Sequence, residues 1–501
     1  MKERLVIYQV LPRLFGASSK NCVPNGSKST NGCGRMADFT KKALAEIHSM
    51  GVNCIWYTGM LSHASKTDYA TYGIPSSNPE LVKGNAGSPY AVKDYYDVNP
   101  DLATNISKRM DEFTNLVRRT HDEGMKCIID FIPNHVAAEY VGTINPFTDE
   151  NYYPGHLHDG DWTDTAKLNY SCHSTWEKML AILLFWAEKG VDGFRCDMAE
   201  LVPCIFWQWA IPQIKARHKG IIFIAEVYNP WEYRNYLFNG HFDYLYDKVG
   251  LYDTLKDVVR GQSASLITQC WQNVDDIRHH MVNFLENHDE QRLASQWFAS
   301  DPIKGRPALL VSALMGTNPF MLYFGQELGE AASDAEGFSG LDGRTSIFDY
   351  WTIDSISRWT SKGRFDGKRL TEAEKSLQAY YSKVLGLINK EKAIREGSFF
   401  DIMYSNYENM DLDTNKVYAF LRHKDNDLIL VTANFSGEEQ NAKVVIPKHA
   451  FDCLNLNSQA DVSVIELLTS ARHRCQLLPD EPIQITIPAF GGTILKFSTK
   501  Q

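Results

Sequence analysis

The sequence predicts an α/β chain built around a (β/α)8 barrel (TIM barrel), with a small domain inserted after strand 3 and a C-terminal antiparallel β-sandwich. Two patterns in the 501 residues indicate the barrel. Helix-like segments repeatedly end in a glycine that an apolar strand follows at once, and eight strand candidates fall within about 330 residues. A long polar interruption and a late change of pattern indicate the other two domains.

The repeated helix-to-strand junction is the first element of this argument. Glycine suits the left-handed backbone position that closes a helix, and a short loop then leads into a strand that is apolar on both faces. The junction glycines are Gly51, Gly124, Gly190 and Gly220. Four copies of this junction indicate a repeated βα unit.

Eight apolar segments are candidates for parallel strands. They are residues 5–10, 52–57, 125–132, 191–196, 221–225, 242–246, 281–285 and 319–324. The helices between them are amphipathic, as Met110, Phe113, Leu116 and Val117 show by their helical spacing. Eight units favour a closed barrel over an open doubly wound sheet.

Two regions depart from the barrel pattern. The stretch from Asn134 to Ser174 is rich in Gly, Pro, Asp, His and Tyr, and is too long for a plain βα loop. After Gly397, alternating strands without clear helices are predicted at 417–422, 428–434, 442–446 and 483–487, the last running on to 495–497. The predicted domains are therefore the barrel (1–135 and 173–397), the inserted domain (136–172) and the C-terminal sandwich (398–501).

Composition excludes several classes of function. A net charge of −10 argues against a nucleic-acid surface, and the absence of an apolar run of about 18 residues argues against a membrane span. The N-terminal residues lack the pattern of a secretory signal. Cys54, Cys127 and Cys196 lie in apolar strands, which is typical of a reducing compartment. We expect a cytoplasmic protein, or a secreted or periplasmic one if a leader has been removed.

Four of the predicted strands end in polar residues. These ends are 130–135 (Asp-Phe-Ile-Pro-Asn-His), 193–197 (Gly-Phe-Arg-Cys-Asp), 224–226 (Ile-Ala-Glu) and 284–289 (Phe-Leu-Glu-Asn-His-Asp). Active sites of such barrels lie at the carboxyl ends of the strands. Asp197, Glu226 and Asp289 are therefore expected to face one central cavity.

Three carboxylates in one cavity fit the cleavage of a glycosidic bond. Two carboxyl groups about 5 Å apart allow one to attack the sugar while the other transfers the proton. Crowding raises the pKa of at least one acid, and Arg195 beside Asp197 is expected to keep that carboxylate ionised.

The four strand ends resemble, in order, the four sequence regions of the α-amylase superfamily, glycoside hydrolase family 13. The resemblance implies that Asp197 is the nucleophile, Glu226 the general acid/base and Asp289 the transition-state stabiliser. It also implies that His135, Arg195 and His288 contact the sugar at the cleavage subsite. Tyr90, within Gly-Ser-Pro-Tyr-Ala at 87–91, resembles the tyrosine that stacks under that sugar.

The chain also departs from the family pattern. Glu200 and Leu201 stand where many α-amylases carry a Lys-His pair, which removes a cationic group from the leaving-chain side. Asn134 corresponds to a calcium ligand of some members, but the sequence does not identify a matching set of ligands. The chemistry requires no cofactor, and a structural calcium ion remains an open alternative.

The leading hypothesis is a retaining α-glucan hydrolase that cleaves α-1,4-glucosidic bonds in an α-glucan or malto-oligosaccharide. One alternative is a glucanotransferase or a transglycosylase of the trehalose-synthase type, in which a sugar hydroxyl replaces water. Another, from a different class, is a non-catalytic glucan-binding protein. The intact set of three carboxylates favours an enzyme.

Overall fold

A computed structural model describes residues 4–498 and contains a closed barrel of eight parallel strands. Strands adjacent in the chain are adjacent in the barrel, and β8 closes the ring by pairing with β1. The strands are β1 Val6–Val10, β2 Cys54–Tyr57, β3 Lys126–Phe131, β4 Gly193–Cys196, β5 Ile222–Ala225, β6 Tyr244–Tyr246, β7 Met281–Phe284 and β8 Phe320–Tyr323. This confirms the predicted fold class, and all eight predicted strands lie where the sequence places them.

Helices surround the barrel and cover the outer face of its strands. The helix Arg109–Asp122 buries Phe113, Leu116 and Val117, as its amphipathic pattern predicts. The other α-helices of this part of the chain are Pro12–Phe15, Lys28–Asn31, Lys41–Ser49, His173–Glu188, Cys204–Arg217, Asp253–Val259, Leu266–Gln272, Arg306–Leu314, Asp354–Thr360, Glu372–Lys390 and Lys392–Glu396. Over the described part of the chain, none of the helices is both long and apolar enough to cross a membrane.

The predicted junction glycines adopt the left-handed backbone that closes a helix. Their φ angles are 96° at Gly51, 75° at Gly124, 95° at Gly190 and 87° at Gly220. A side chain is strained at such angles, and at Gly51 a Cβ would also meet the backbone of Leu385 at 2.9 Å. These positions therefore require glycine.

Two small antiparallel hairpins stand above the carboxyl ends of the strands. One pairs His135–Ala137 with Thr165–Lys167 and belongs to the segment predicted as an insertion. The other pairs Leu61–His63 with Val92–Val98, after β2, where the sequence analysis recognised no extra element. Both hairpins contribute walls to the cavity described below.

The C-terminal part of the chain forms two antiparallel sheets. The six-stranded sheet has the order β9-β10-β11-β16-β13-β14, and β12 pairs with β15 in a two-stranded sheet. The strands are β9 Ser398–Asp401, β10 Val417–Lys424, β11 Asp427–Asn434, β12 Gln440–Val445, β13 Gln459–Glu466, β14 Arg472–Leu477, β15 Pro482–Ile487 and β16 Gly491–Ser498. The predicted sandwich is confirmed.

Two details of the sandwich prediction are wrong. Residues 483–487 do not run on to 495–497, because the chain turns at Phe490, whose φ is 42°, and enters the other sheet. The region also contains a helix, Lys448–Leu454, where only strands were expected. Its short length gave too few periodic positions to distinguish it from a strand.

Arg422 on β10 joins the sandwich to the barrel. Its side chain is 1% exposed and donates hydrogen bonds to the carbonyl oxygens of Met315 at 2.7 Å, Gly397 at 2.8 Å and Ile394 at 3.1 Å. Burial holds the pKa of its guanidinium well below the usual value. One side chain thus satisfies carbonyl groups from separate segments.

Replacing Arg422 is therefore expected to destabilise the whole chain. Arg422→Met leaves these carbonyl groups without a donor and should lower the free energy of unfolding by about 2–4 kcal/mol. Differential scanning calorimetry would measure this loss, with the exposed Arg118→Met as control. An unchanged melting temperature in Arg422→Met would contradict the assigned contact.

Candidate active site

The carboxyl ends of β3, β4, β5 and β7 meet at one cavity of about 530 Å³. The backbone of Asp197 continues the ladder by donating to Phe131 at 2.8 Å, and that of Glu226 donates to Cys196 at 3.1 Å. These hydrogen bonds fix both residues just beyond their strands. Predicted site residues that line the cavity are Tyr90, His135, Asp197, Glu226 and Asp289.

Arg195 holds two of the carboxylates from below. Its Nη1 donates to Asp197 Oδ1 at 2.7 Å, and its Nη2 lies 2.7 Å from Glu226 Oε2. The guanidinium is completely buried and also contacts Asp130 Oδ1 at 3.4 Å. Because one guanidinium serves both side chains, Asp197 and Glu226 are kept close together.

Glu226 receives two further hydrogen bonds. The backbone N–H of Met198 donates to its Oε2 at 2.7 Å, and the Tyr228 hydroxyl donates to its Oε1 at 2.6 Å. Met198 has a φ of 41°, a left-handed conformation that is rare for a residue with a side chain. In this conformation of the turn after Asp197, the backbone N–H of Met198 points toward Glu226.

His288 connects Tyr90 to Asp289. Gln9 Nε2 donates to His288 Nδ1 at 2.8 Å, so the proton of the neutral imidazole lies on Nε2. That nitrogen bonds the Tyr90 hydroxyl and lies 3.1 Å from Asp289 Oδ2. Burial and then Arg195 hold the pKa of His288 well below its usual value, which keeps the ring neutral.

His135 lies in the cavity wall next to the inserted segment. Its ring centre is 5.3 Å from that of Trp162, and burial lowers its pKa to about 4. Beside it, Lys83 Nζ is 3.0 Å from Asp164 Oδ1, which joins the loop after β2 to the inserted segment. This ion pair therefore connects the two segments that form this wall of the cavity.

Burial raises the pKa of Asp197, Glu226 and Asp289. Burial raises the pKa of Asp197, although Arg195 and a hydrogen bond from Glu226 oppose this shift. Burial and the charge of Asp197 raise the pKa of Glu226. Loss of contact with water and the neighbouring Glu226 also raise the pKa of Asp289. The side chain of Asp289 is 42% exposed, toward the open cleft.

Comparison with known proteins identifies the family. The family model of the α-amylase catalytic domain matches residues 9–154 and 147–395, which is more than half of the chain. The chain belongs to the α-amylase family. An α-amylase of Haloarcula japonica is 24% identical over 417 residues, covering 80% of this chain and 52% of the relative. The match thus spans about half of that relative's length.

Solved structures share the fold of this α-amylase family member. A maltogenic α-amylase, AmyB from Thermotoga neapolitana, superimposes with a TM-score of 0.70 at 21% identity. An α-amylase from Geobacillus thermoleovorans, complexed with acarbose, gives 0.73 at 18% identity. Each alignment covers 99% of both chains.

The structure also brings residues to the cavity that sequence reasoning missed. These are chiefly Trp162, Tyr228, Lys248 and Phe348. Tyr228 could have been found from its place two residues after Glu226, where side chains of an extended backbone point to the same side. Trp162 and Phe348 come from long loops, and no local pattern marks them. Lys248 follows the end of β6 by two residues, so its position after a strand was a signal that the sequence offered.

The arrangement around Asn134 does not fit a calcium site. Asn134 donates its amide to Asp159 Oδ2 at 2.8 Å, and Lys167 Nζ donates to Asp159 Oδ1 at 2.8 Å. Both oxygens of the carboxylate are thus engaged. Between residues 4 and 498, His, Cys, Asp and Glu side chains form no group of three or more placed to hold a metal ion.

Removing the Tyr228 hydroxyl should shift the pH profile of the enzyme. The hydrogen bond from Tyr228 favours the ionised form of Glu226 and lowers its pKa, so Tyr228→Phe should raise that pKa. The alkaline limb of kcat/KM on a maltodextrin should move to higher pH. The control is Tyr233→Phe, whose buried hydroxyl has no partner among the described residues. A shift to lower pH would contradict this assignment.

A chelator is expected to leave this protein unchanged. Because Lys167 already neutralises Asp159, EDTA should alter neither the melting temperature nor the activity. Lys167→Met removes the cation and should lower the free energy of unfolding by about 1 kcal/mol or less. Thermal unfolding with EDTA and with added Ca²⁺ measures both effects. Stabilisation of the unsubstituted protein by Ca²⁺ would overturn this interpretation.

Proposed function

We propose that the protein is a retaining α-glucan hydrolase that cleaves α-1,4-glucosidic bonds, with Asp197 as nucleophile and Glu226 as general acid/base. The shared contact of Arg195 with both carboxyl groups is the observation that carries this proposal. A nucleophile and an acid must flank one bond at about 5 Å, and a common guanidinium holds them at short range.

The first step divides the work between the two carboxyl groups. Asp197 attacks the anomeric carbon while Glu226 gives its proton to the glycosidic oxygen, and the leaving chain departs with a new hydroxyl group. The raised pKa of Glu226 keeps that proton available near neutral pH. The contact of Arg195 with Asp197 favours the ionised form that the attack requires.

The second step returns the enzyme to its starting state. Glu226, now ionised, removes a proton from water, and the resulting oxygen nucleophile displaces Asp197 from the sugar. Two displacements at the same carbon retain the α configuration. Tyr228 and the N–H of Met198, which both donate to Glu226, stabilise its ionised form between the two steps.

Asp289 is assigned to the positive charge that develops on the sugar ring. Its raised pKa reflects burial first, and then the cost of a third negative charge near Glu226 and Asp197. An oxocarbenium-like transition state relieves that cost, so Asp289 interacts more strongly with the transition state than with the free substrate. His288 and Tyr90 hold this carboxylate at the cavity wall.

Malto-oligosaccharides are the substrates that the cavity supports best. Its volume lies within the range of pockets for small molecules, and Tyr90, Trp162 and Phe348 supply aromatic surfaces for the C–H faces of sugars. The related structure from Geobacillus thermoleovorans holds acarbose. We assign His135, which lines the cavity, to the sugar at the point of cleavage. Arg195 and His288 are buried behind the cavity wall and act on that sugar through Asp197, Glu226 and Asp289.

Substitution of the two reacting carboxyl groups tests the proposal. Glu226→Gln and Asp197→Asn should each lower kcat on maltoheptaose by at least about 10³-fold, because neither amide can replace the lost acid or nucleophile. Glu290→Gln is the matched control, since Glu290 lines the same cavity but has no assigned role in either step. A loss of less than tenfold in Glu226→Gln would refute its role.

Product analysis of the same reaction separates hydrolysis from transfer. Chromatography should show only chains shorter than maltoheptaose, and NMR of the first products should show the α anomer. Chains longer than the substrate would instead identify a glucanotransferase. Binding of maltoheptaose without any product would indicate a glucan-binding protein.

A further inference from the structure

A second cavity, of about 520 Å³, lies between the barrel and the sandwich and has no part in the proposed reaction. Arg306, which begins the helix Arg306–Leu314, and Tyr380, within Glu372–Lys390, form the barrel side. The sandwich contributes the turn after β13 and parts of β14, β15 and β16. Both domains therefore supply walls of one cavity that is open to solvent.

Arg306 has no protein partner for its charge in this space. Its half-buried side chain makes no hydrogen bond and no ion pair with any residue between 4 and 498, and its Nε is shielded from solvent. Its one contact of note is with Tyr380, whose ring centre lies 5.0 Å from the guanidinium carbon. By contrast, the guanidinium groups of Arg195 and Arg422 bond several oxygens each.

The Tyr380 hydroxyl is unsatisfied in the same way. It is shielded from solvent and has no hydrogen-bond partner within the described range. Burial raises the pKa of Tyr380, so the phenol keeps its proton and remains a donor. Buried donors in native proteins are almost always paired, and two unpaired donors beside one cavity indicate an acceptor that the chain itself does not supply.

Glu466 lies in the same wall but does not neutralise Arg306. Its carboxylate accepts hydrogen bonds from the backbone N–H groups of Leu468 at 3.1 Å and Ile494 at 3.1 Å. It also accepts two hydrogen bonds from Thr469, through the backbone at 2.5 Å and the hydroxyl at 2.6 Å. These hydrogen bonds engage both oxygens of Glu466, and Glu466 forms no ion pair with Arg306. Arg306 therefore lines the cavity without a carboxylate partner.

We propose that this cavity binds a small molecule carrying an oxyanion, a phosphate or a carboxylate group, on the guanidinium of Arg306. Guanidinium and oxyanion groups match in geometry through paired N–H···O hydrogen bonds. The Tyr380 hydroxyl supplies another donor after a small side-chain movement. Leu468, Ile485 and Pro488 provide apolar surface for the rest of the ligand. Because the walls come from both domains, the bound molecule also stabilises their docking.

The proposal does not depend on the catalytic function and is tested by calorimetry on the full chain. Inorganic phosphate, acetate and glucose 6-phosphate are the probes, with glucose as the uncharged control. Saturable heat is expected with the anions, at least tenfold tighter with glucose 6-phosphate than with glucose. A higher melting temperature with the bound anion is expected alongside. The response to phosphate and to acetate distinguishes the two oxyanion types.

Variants locate the site. Arg306→Gln should weaken the binding of glucose 6-phosphate at least tenfold, and Tyr380→Phe, which keeps the ring, should weaken it several-fold. Arg118→Gln, an exposed arginine on the helix Arg109–Asp122, should bind as the unsubstituted protein does. Circular dichroism checks the fold of each variant.

Three results would overturn the proposal. The first is no saturable binding of any anion up to about 10 mM, which would leave the cavity to water. The second is binding that persists unchanged in both Arg306→Gln and Tyr380→Phe, which would place the anion elsewhere. The third is glucose binding as tightly as glucose 6-phosphate, which would exclude recognition of the charge.

Discussion

The active site depends on a positive charge buried beneath the cavity, at the carboxyl end of β4. Arg195 is fully buried, and its guanidinium carbon lies 5.4 Å from the ring centres of both Trp56 and Tyr90 and 5.6 Å from that of Tyr246. A charge in such surroundings is tolerated only when it is paired. Asp197, Glu226 and Asp130 supply the pairing, so the stability of the barrel centre and the position of the reacting groups rest on the same contacts.

The same burial determines the protonation of the acids. Removal from water raises the pKa of every carboxyl group near Arg195, including Asp130 to about 7. The guanidinium opposes that shift most for the groups it touches directly. Arg195 touches both Asp197 and Glu226, but the hydrogen bond from Glu226 favours the ionised form of Asp197. The site can therefore hold one ionised and one protonated carboxyl group side by side, which the proposed retaining reaction needs at its start.

The loops above the barrel determine what the acids can reach. Lys83 and Asp164 join the loop after β2 to the inserted segment, and Trp162 from that segment packs against His135. Lys167 and Asn134 both donate hydrogen bonds to Asp159 nearby. The charged contacts among these loops thus give the cavity a fixed wall on the side of His135.

The barrel, its eight strands and the three carboxylates at the strand ends could all be predicted from the amino-acid sequence. These predictions succeeded because they rest on local properties of the chain: strand periodicity, the glycines that close helices, and the position of a residue just after a strand. The sequence also predicted the contact between Arg195 and Asp197, since one residue separates the two at the same strand end.

The distant residues that complete the site could be identified only from the folded structure. Tyr90 reaches His288, Trp162 reaches His135, and Arg195 reaches Glu226 across contacts that join separate strands and loops. The hairpin after β2, the helix Lys448–Leu454 and the cavity beside Arg306 were likewise not predictable. Each depends on how long loops and two domains pack together, and such packing leaves no periodic pattern in the chain.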